Sequence, residues 1–178
     1  MKKKISAVLA LLILCSTVLS VLGIQIPAAA AETQISRVVN VVYDDSGSMA
    51  KDFEGTKQPL DRWCQAKYAM EVFASMLGSD DTMNVYVMSD FDRRGYNKSD
   101  AAPHLTLSGS DGQKNNVAKV HDMVTELGNT PFNSVKKAYS DLMSAQGDEK
   151  WLVVLTDGDF EHIAKSDVQK FFASKDAS

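Results

Sequence analysis

Two short stretches of this chain are almost wholly apolar and rich in β-branched residues: Val38-Val39-Asn40-Val41-Val42-Tyr43 and Trp151-Leu152-Val153-Val154-Leu155. A strand with one wet face alternates apolar and polar residues. A nearly continuous apolar run instead belongs to a strand buried on both faces, as in a parallel sheet covered by helices. Each run stops abruptly in acids and hydroxyls, Asp44-Asp45-Ser46-Gly47-Ser48 in the first case and Thr156-Asp157-Gly158 in the second.

The segments between these runs carry helical spacing. Apolar residues at 63, 66, 70, 73 and 77 predict a helix from Asp61 to Leu77, stopped by Gly78. Met83 to Met88 reads as a second strand. A polar stretch from Ser89 to Pro103 precedes a short strand at Leu105-Thr106-Leu107. Val117, Val120, Val124 and Leu127 predict a helix ending at Gly128, and Val135, Ala138, Tyr139 and Leu142 another before Gly147. Ser166-x-x-Gln169 has the form of a capping box ahead of Val168, Phe171 and Phe172. The order β-α-β-β-α-α-β-α predicts an α/β fold, an open and mostly parallel sheet with helices on both faces. A helix after only the fourth strand leaves that strand's outer side bare. The expectation is a domain over 36–178 that is incomplete at its C-terminus, with its last strands missing.

Residues 1–31 read as a secretory signal peptide. Lys2, Lys3 and Lys4 precede a mostly apolar run from Ile5 to Leu22, and Ala29-x-Ala31 offers a cleavage site before Glu32. The chain is thus expected to be secreted or displayed at the cell surface; an uncleaved membrane anchor is the alternative. Leu12-Ile13-Leu14 is too bulky to make Cys15 a lipoprotein cysteine. Cleavage removes three lysines and no acid, so the net charge of −4 becomes −7, which argues against general nucleic-acid binding. It also leaves Cys64 alone, expected to be buried and inert beside Trp63. A composition of 44% apolar and 24% charged residues excludes a disordered chain.

In open α/β sheets, ligands collect at the carboxyl ends of the strands. The polar groups there are Asp44, Ser46 and Ser48 after the first strand, Thr130 after Gly128-Asn129, and Asp157 after the fourth strand. Two carboxylates and three hydroxyls form an all-oxygen donor set, which suits a hard cation such as Mg²⁺. Asp45, at the variable position of the pattern, is ambiguous, with a solvated residue as the simplest reading, and Gly47 reads as the residue permitting a tight turn. Asp159, Glu161 and His162 read as an acidic loop at the rim.

Asp44-x-Ser46-x-Ser48 with the later Thr130 and Asp157 resembles the metal-ion-dependent adhesion site of von Willebrand factor type A domains, over about residues 36–178. The resemblance implies a Rossmann-like sheet of order 3-2-1-4-5-6 with a short antiparallel third strand, so that Asp44 and Asp157 flank one crevice. It implies that Ser46, Ser48 and Thr130 bind the metal directly, while Asp44 and Asp157 act through coordinated waters and hydrogen bonds to the serines. The ion would be Mg²⁺, with Mn²⁺ or Ca²⁺ as alternatives. The function implied is noncatalytic adhesion, in which a protein ligand supplies an Asp or Glu carboxylate to the metal. No nucleic acid is expected, and contact with a membrane only through an uncleaved leader or a missing C-terminal region.

A second reading is a structural or assembly module whose metal site stabilises the fold. Distant third readings are an exported aspartic or subtilisin-like protease. The first lacks a second Asp-Thr/Ser-Gly. In the second, His104, His121 and His162 stand in no suitable context. Asp90-x-Asp92-x-Arg94-Gly95 is half of a calcium loop and is expected to be a solvated turn.

Overall fold

The structure, a computed structural model, describes residues 35–50, 61–93, 96–97, 100–124, 126–158, 160–161 and 163–175. The leader expected over 1–31 lies outside them. Strand β1 (Arg37–Tyr43) is followed by the single-turn helix α1 (Gly47–Ala50) and by α2 (Asp61–Ser75). Next come β2 (Thr82–Val87), a small hairpin of β3 (Asp92–Arg93) and β4 (Tyr96–Asn97), and β5 (Leu105–Ser108). The remaining elements are α3 (Gln113–His121), α4 (Asn133–Ser144), β6 (Glu149–Leu155) and α5 (Lys165–Ala173).

The main sheet has the order β5-β2-β1-β6. β1 runs parallel to both β2 and β6, and β5 is antiparallel to β2. This is the expected third-second-first-fourth order with a short antiparallel third strand. β1 is central, and every residue after Arg37 in it is buried. Burying a Val or Leu side chain contributes roughly 1.5–3 kcal/mol, so the apolar run gains most where it is covered on both faces. Val39, Val41 and Tyr43 pack on one face with Trp63, Met70 and Ala74 of α2 and Val120 of α3. Val42 and Tyr86 pack on the other with Val135 and Ala138 of α4, and Phe171 of α5 joins them. Asn40, the one polar residue of the run, donates to the Ala138 carbonyl at 2.7 Å and accepts from Asn84 Nδ2 at 2.9 Å.

Several local expectations need correction. The helix read as far as Leu127 ends at His121; Val124 and Leu127 are exposed, and Leu127 has φ 55°. The 3.6-residue spacing of Val124 and Leu127 thus continues the pattern without the helix. The Ser166 capping box does not form, because Ser166 already lies inside α5 and Ala164 occupies the cap position. Cys64 is exposed, one position round the helix from buried Trp63. Trp151 is 50% exposed, because β6 is the edge of the described sheet.

At the opposite end from the polar strand tips, Asp81 knots three elements together. Its Oδ1 accepts from Arg37 N–H and its Oδ2 from Gly78 N–H, both at 2.8 Å, while its carbonyl accepts from Gly109 N–H at 2.9 Å. Asp81→Ala strands two backbone donors, and we expect a loss of about 2–4 kcal/mol. Urea unfolding at unchanged m-value measures it; a loss below about 0.5 kcal/mol, the size of an ordinary surface substitution, would show that these ties are dispensable.

Candidate cation site at the strand tips

The two acids that end β1 reach to opposite sides of it. Asp44 turns toward β6: its N–H donates to the Leu155 carbonyl at 2.9 Å, and its Oδ2 accepts from Thr156 Oγ1 at 2.7 Å. Its Oδ1 accepts from Ser46 N–H at 2.9 Å. Asp45 turns toward β2: Oδ1 accepts from Ser89 N–H and Oδ2 from Glu126 N–H, each at 3.0 Å. Both acids are fully buried. Asp45 is therefore not a solvated residue, which corrects the sequence reading; it fastens the loop before Thr130 to the end of β2. Burial pushes its carboxyl above the usual range, against the opposing pull of the Ser89 and Glu126 amides. Burial and the charges of Asp45 and Asp44 likewise raise the phenol of Tyr43, which donates to the Trp63 carbonyl at 3.1 Å.

Ser46 and Ser48 stand side by side and share a hydrogen bond, their hydroxyl oxygens 3.0 Å apart. Gly47 between them has no left-handed backbone, and a Cβ added there would meet nothing within 4 Å, so it is the opening of α1 and not a forced turn. Ser46 forms an isolated parallel bridge with Gly128. Gly128 must be glycine for a packing reason: a Cβ there would come within 2.6 Å of the Ser89 Cβ. The bridge, and not this contact, is what brings the start of the Asn129-Thr130 segment beside Ser46. Thr130 is buried, and its carbonyl accepts from Glu161 N–H at 3.0 Å. Asp157 lies just past β6, and Gly158 with φ 114° makes the turn after it. All five residues read from the sequence therefore lie at one end of the sheet, where the strand order reverses between β1 and β6.

The roles expected of the acids differ from the contacts they make. Asp44 spends both oxygens on the Ser46 amide and the Thr156 hydroxyl, not on the serine hydroxyls. Asp157 Oδ2 meets Arg62 Nη1 at 3.0 Å, a partner the sequence pattern did not signal. Arg62 also reaches the Ser48 carbonyl at 3.4 Å. A cleft of about 630 Å³ opens beside these groups, walled by Ser48, Arg62, Gln65, Leu155 and Asp157. Asp92, expected in a solvated turn, is instead buried and accepts from Asn129 Nδ2 at 3.2 Å. Asp90 meets His104 at 2.9 Å; Arg94, Gly95, Asp159 and His162 lie outside the described residues.

The donor chemistry admits a small hard cation. Ligands at about 2.0–2.1 Å in adjacent octahedral positions lie about 2.8–3.0 Å from one another, a range whose upper end is the spacing of the Ser46 and Ser48 oxygens. Among the described residues no three His, Cys, Asp or Glu side chains group as a metal site. Any ion here would rest on hydroxyls, with Asp157 as the nearby carboxylate.

No protein-family model matches the chain, and no curated protein matches it. Among solved structures it is similar to the PilB minor pilin from Streptococcus sanguinis, at 19% identity and a TM-score of 0.49, over 71% of this chain and 31% of that one. The D319A mutant of the same pilin gives 18% identity and a TM-score of 0.49, over 72% and 31%. The chain thus spans less than a third of the pilin's length, and a likeness of this extent says nothing about activity. These findings correct the expectation of a von Willebrand factor type A domain. The metal-dependent capture of a protein ligand, which rested on that family alone, is withdrawn with it.

Asp45→Ala leaves the Ser89 and Glu126 amides without acceptors, and we expect a loss of about 2–4 kcal/mol in chemical unfolding. The raised folded pKa sets the sign of the pH dependence. This group favours the folded state most below its unfolded value of about 3.9, and the advantage fades as pH rises through the folded value. The stability gap between wild type and Asp45→Ala should therefore narrow from pH 4 upward. A widening gap would show that the buried carboxyl is stabilised in its charged form.

Proposed function

We propose that the chain is an exported, noncatalytic module of Rossmann-like, doubly wound architecture whose strand-tip loops are held together by one divalent cation, Mg²⁺ before Mn²⁺ or Ca²⁺. The observation that carries this reading is the 3.0 Å pair of hydroxyls, Ser46 and Ser48, at the switch in strand order. Thr130 and Asp157 are the further oxygen donors. Asp44 supports the seat indirectly, since it fixes the Ser46 backbone and ties it to Thr156. A bound ion supplies double positive charge at a place where three separate loops converge. The chain's own part is to aim the hydroxyls and to keep Asp44 and Asp45 engaged with backbone amides.

Among the described residues, His104 pairs with Asp90 and His121 with Glu71, so neither of these two stands as a base beside the serines. Export rests on the basic, apolar and small-residue pattern of residues 1–31.

Thermal unfolding of the chain lacking its leader tests the proposal. At about 100 times its dissociation constant a cation adds about 2.7 kcal/mol, a rise of roughly 5–10 °C for a domain of this size. EDTA should reverse the rise, and Ser46→Ala with Ser48→Ala should abolish it. No shift with any of the three cations, or a shift that survives the double substitution, would overturn the assignment.

A further inference from the structure

Arg62 bridges Ser48 and Asp157 at the strand tips. It sits in the first turn of α2, with Nη1 3.0 Å from Asp157 Oδ2 and 3.4 Å from the Ser48 carbonyl. A guanidinium stays charged at any working pH. Asp157 thus already holds a fixed positive partner at the mouth of the cleft. The geometry leaves that partner a way out, because the Arg62 side chain is 42% exposed while Asp157 is only 15% exposed.

We propose that Arg62 is a tethered counter-ion of the strand-tip site, which a divalent cation displaces on binding. The proposal rests on the cation reading given above and deepens it. With no ion bound, Arg62 neutralises Asp157 and steadies the Ser48 backbone. When a divalent ion arrives, Arg62 gives up the carboxylate and turns to solvent. This exchange does two things. It weakens the site, because the ion must first break the Arg62–Asp157 pair, which at 3.0 Å is worth about tenfold in affinity even in water-like screening. It also selects for charge. A monovalent ion that displaces a monovalent guanidinium gains nothing in its attraction to Asp157, whereas a divalent ion doubles that attraction.

Isothermal titration with MgCl₂ and MnCl₂ in 150 mM NaCl tests this on wild type, Arg62→Ala, Arg62→Gln and Arg62→Lys. Removing the charge should tighten divalent binding about tenfold, equivalent to 1.4 kcal/mol. Arg62→Lys, which keeps the charge, should stay within threefold of wild type. Arg62→Gln carries the comparison if Arg62→Ala loses its native circular dichroism. In an Asp157→Asn background the gain from Arg62→Ala should fall below threefold, because the shared carboxylate is gone. An unchanged or weaker affinity in the neutral variants, with wild type binding normally, would overturn the counter-ion role and leave the cation site standing. A gain that persists undiminished with Asp157→Asn would show a general charge effect and also overturn it. No heat of binding in any variant would remove both the site and the role.

Discussion

The strand-tip architecture depends on two consecutive buried carboxylates that pull in opposite directions. β1 lies between β2 and β6, so whatever ends β1 must be reconciled with both neighbours at once. Asp44 meets the β6 side through the Leu155 carbonyl and the Thr156 hydroxyl; Asp45 meets the β2 side through Ser89 and extends to Glu126. Burying a carboxylate is costly unless it is hydrogen-bonded, and here backbone amides and one hydroxyl supply the bonds. The result is a rigid rim, from which the serine hydroxyls project at fixed spacing.

That rim separates two tasks that acidic residues often share. Asp44 and Asp45 are committed to the protein's own backbone. The groups left to face an ion are mainly neutral hydroxyls, with Asp157 as the carboxylate at the edge of the cleft and Arg62 upon it. As a proposed seat, such a set would hold a cation less tightly than a cage of carboxylates and would leave the ion's charge less quenched.

Much of this was legible in the sequence because it was written in local patterns. The apolar run at Val38–Tyr43 signalled a strand buried on both faces, and the apolar spacing from Trp63 to Leu77 signalled α2. The common location of the five oxygen-bearing residues could be read because each follows a strand or loop that ends on the same side of the sheet. What failed to show were properties set by tertiary neighbours. Nothing local distinguishes Asp45 from a solvated acid; its burial comes from Ser89 and Glu126, far along the chain. Arg62 looked like an ordinary first-turn residue, and its partner is 95 residues away. Val124 and Leu127 kept helical spacing, yet the backbone there is claimed by the Asp45–Glu126 bond and the Gly128 contact with Ser89.

The pairing of β1 with β6 also sets an order of assembly. Asp44 and Thr156 are 112 residues apart, and the rim closes only when the chain between them has been laid down and folded back. Loop-closure entropy places such contacts late, after the nearer pairing of β1 with β2 and the helix between them has formed. The strand-tip site is then a product of completed folding and not its nucleus. Under the proposed cation reading, an ion seated there would latch the finished domain, slowing its reopening without hastening collapse.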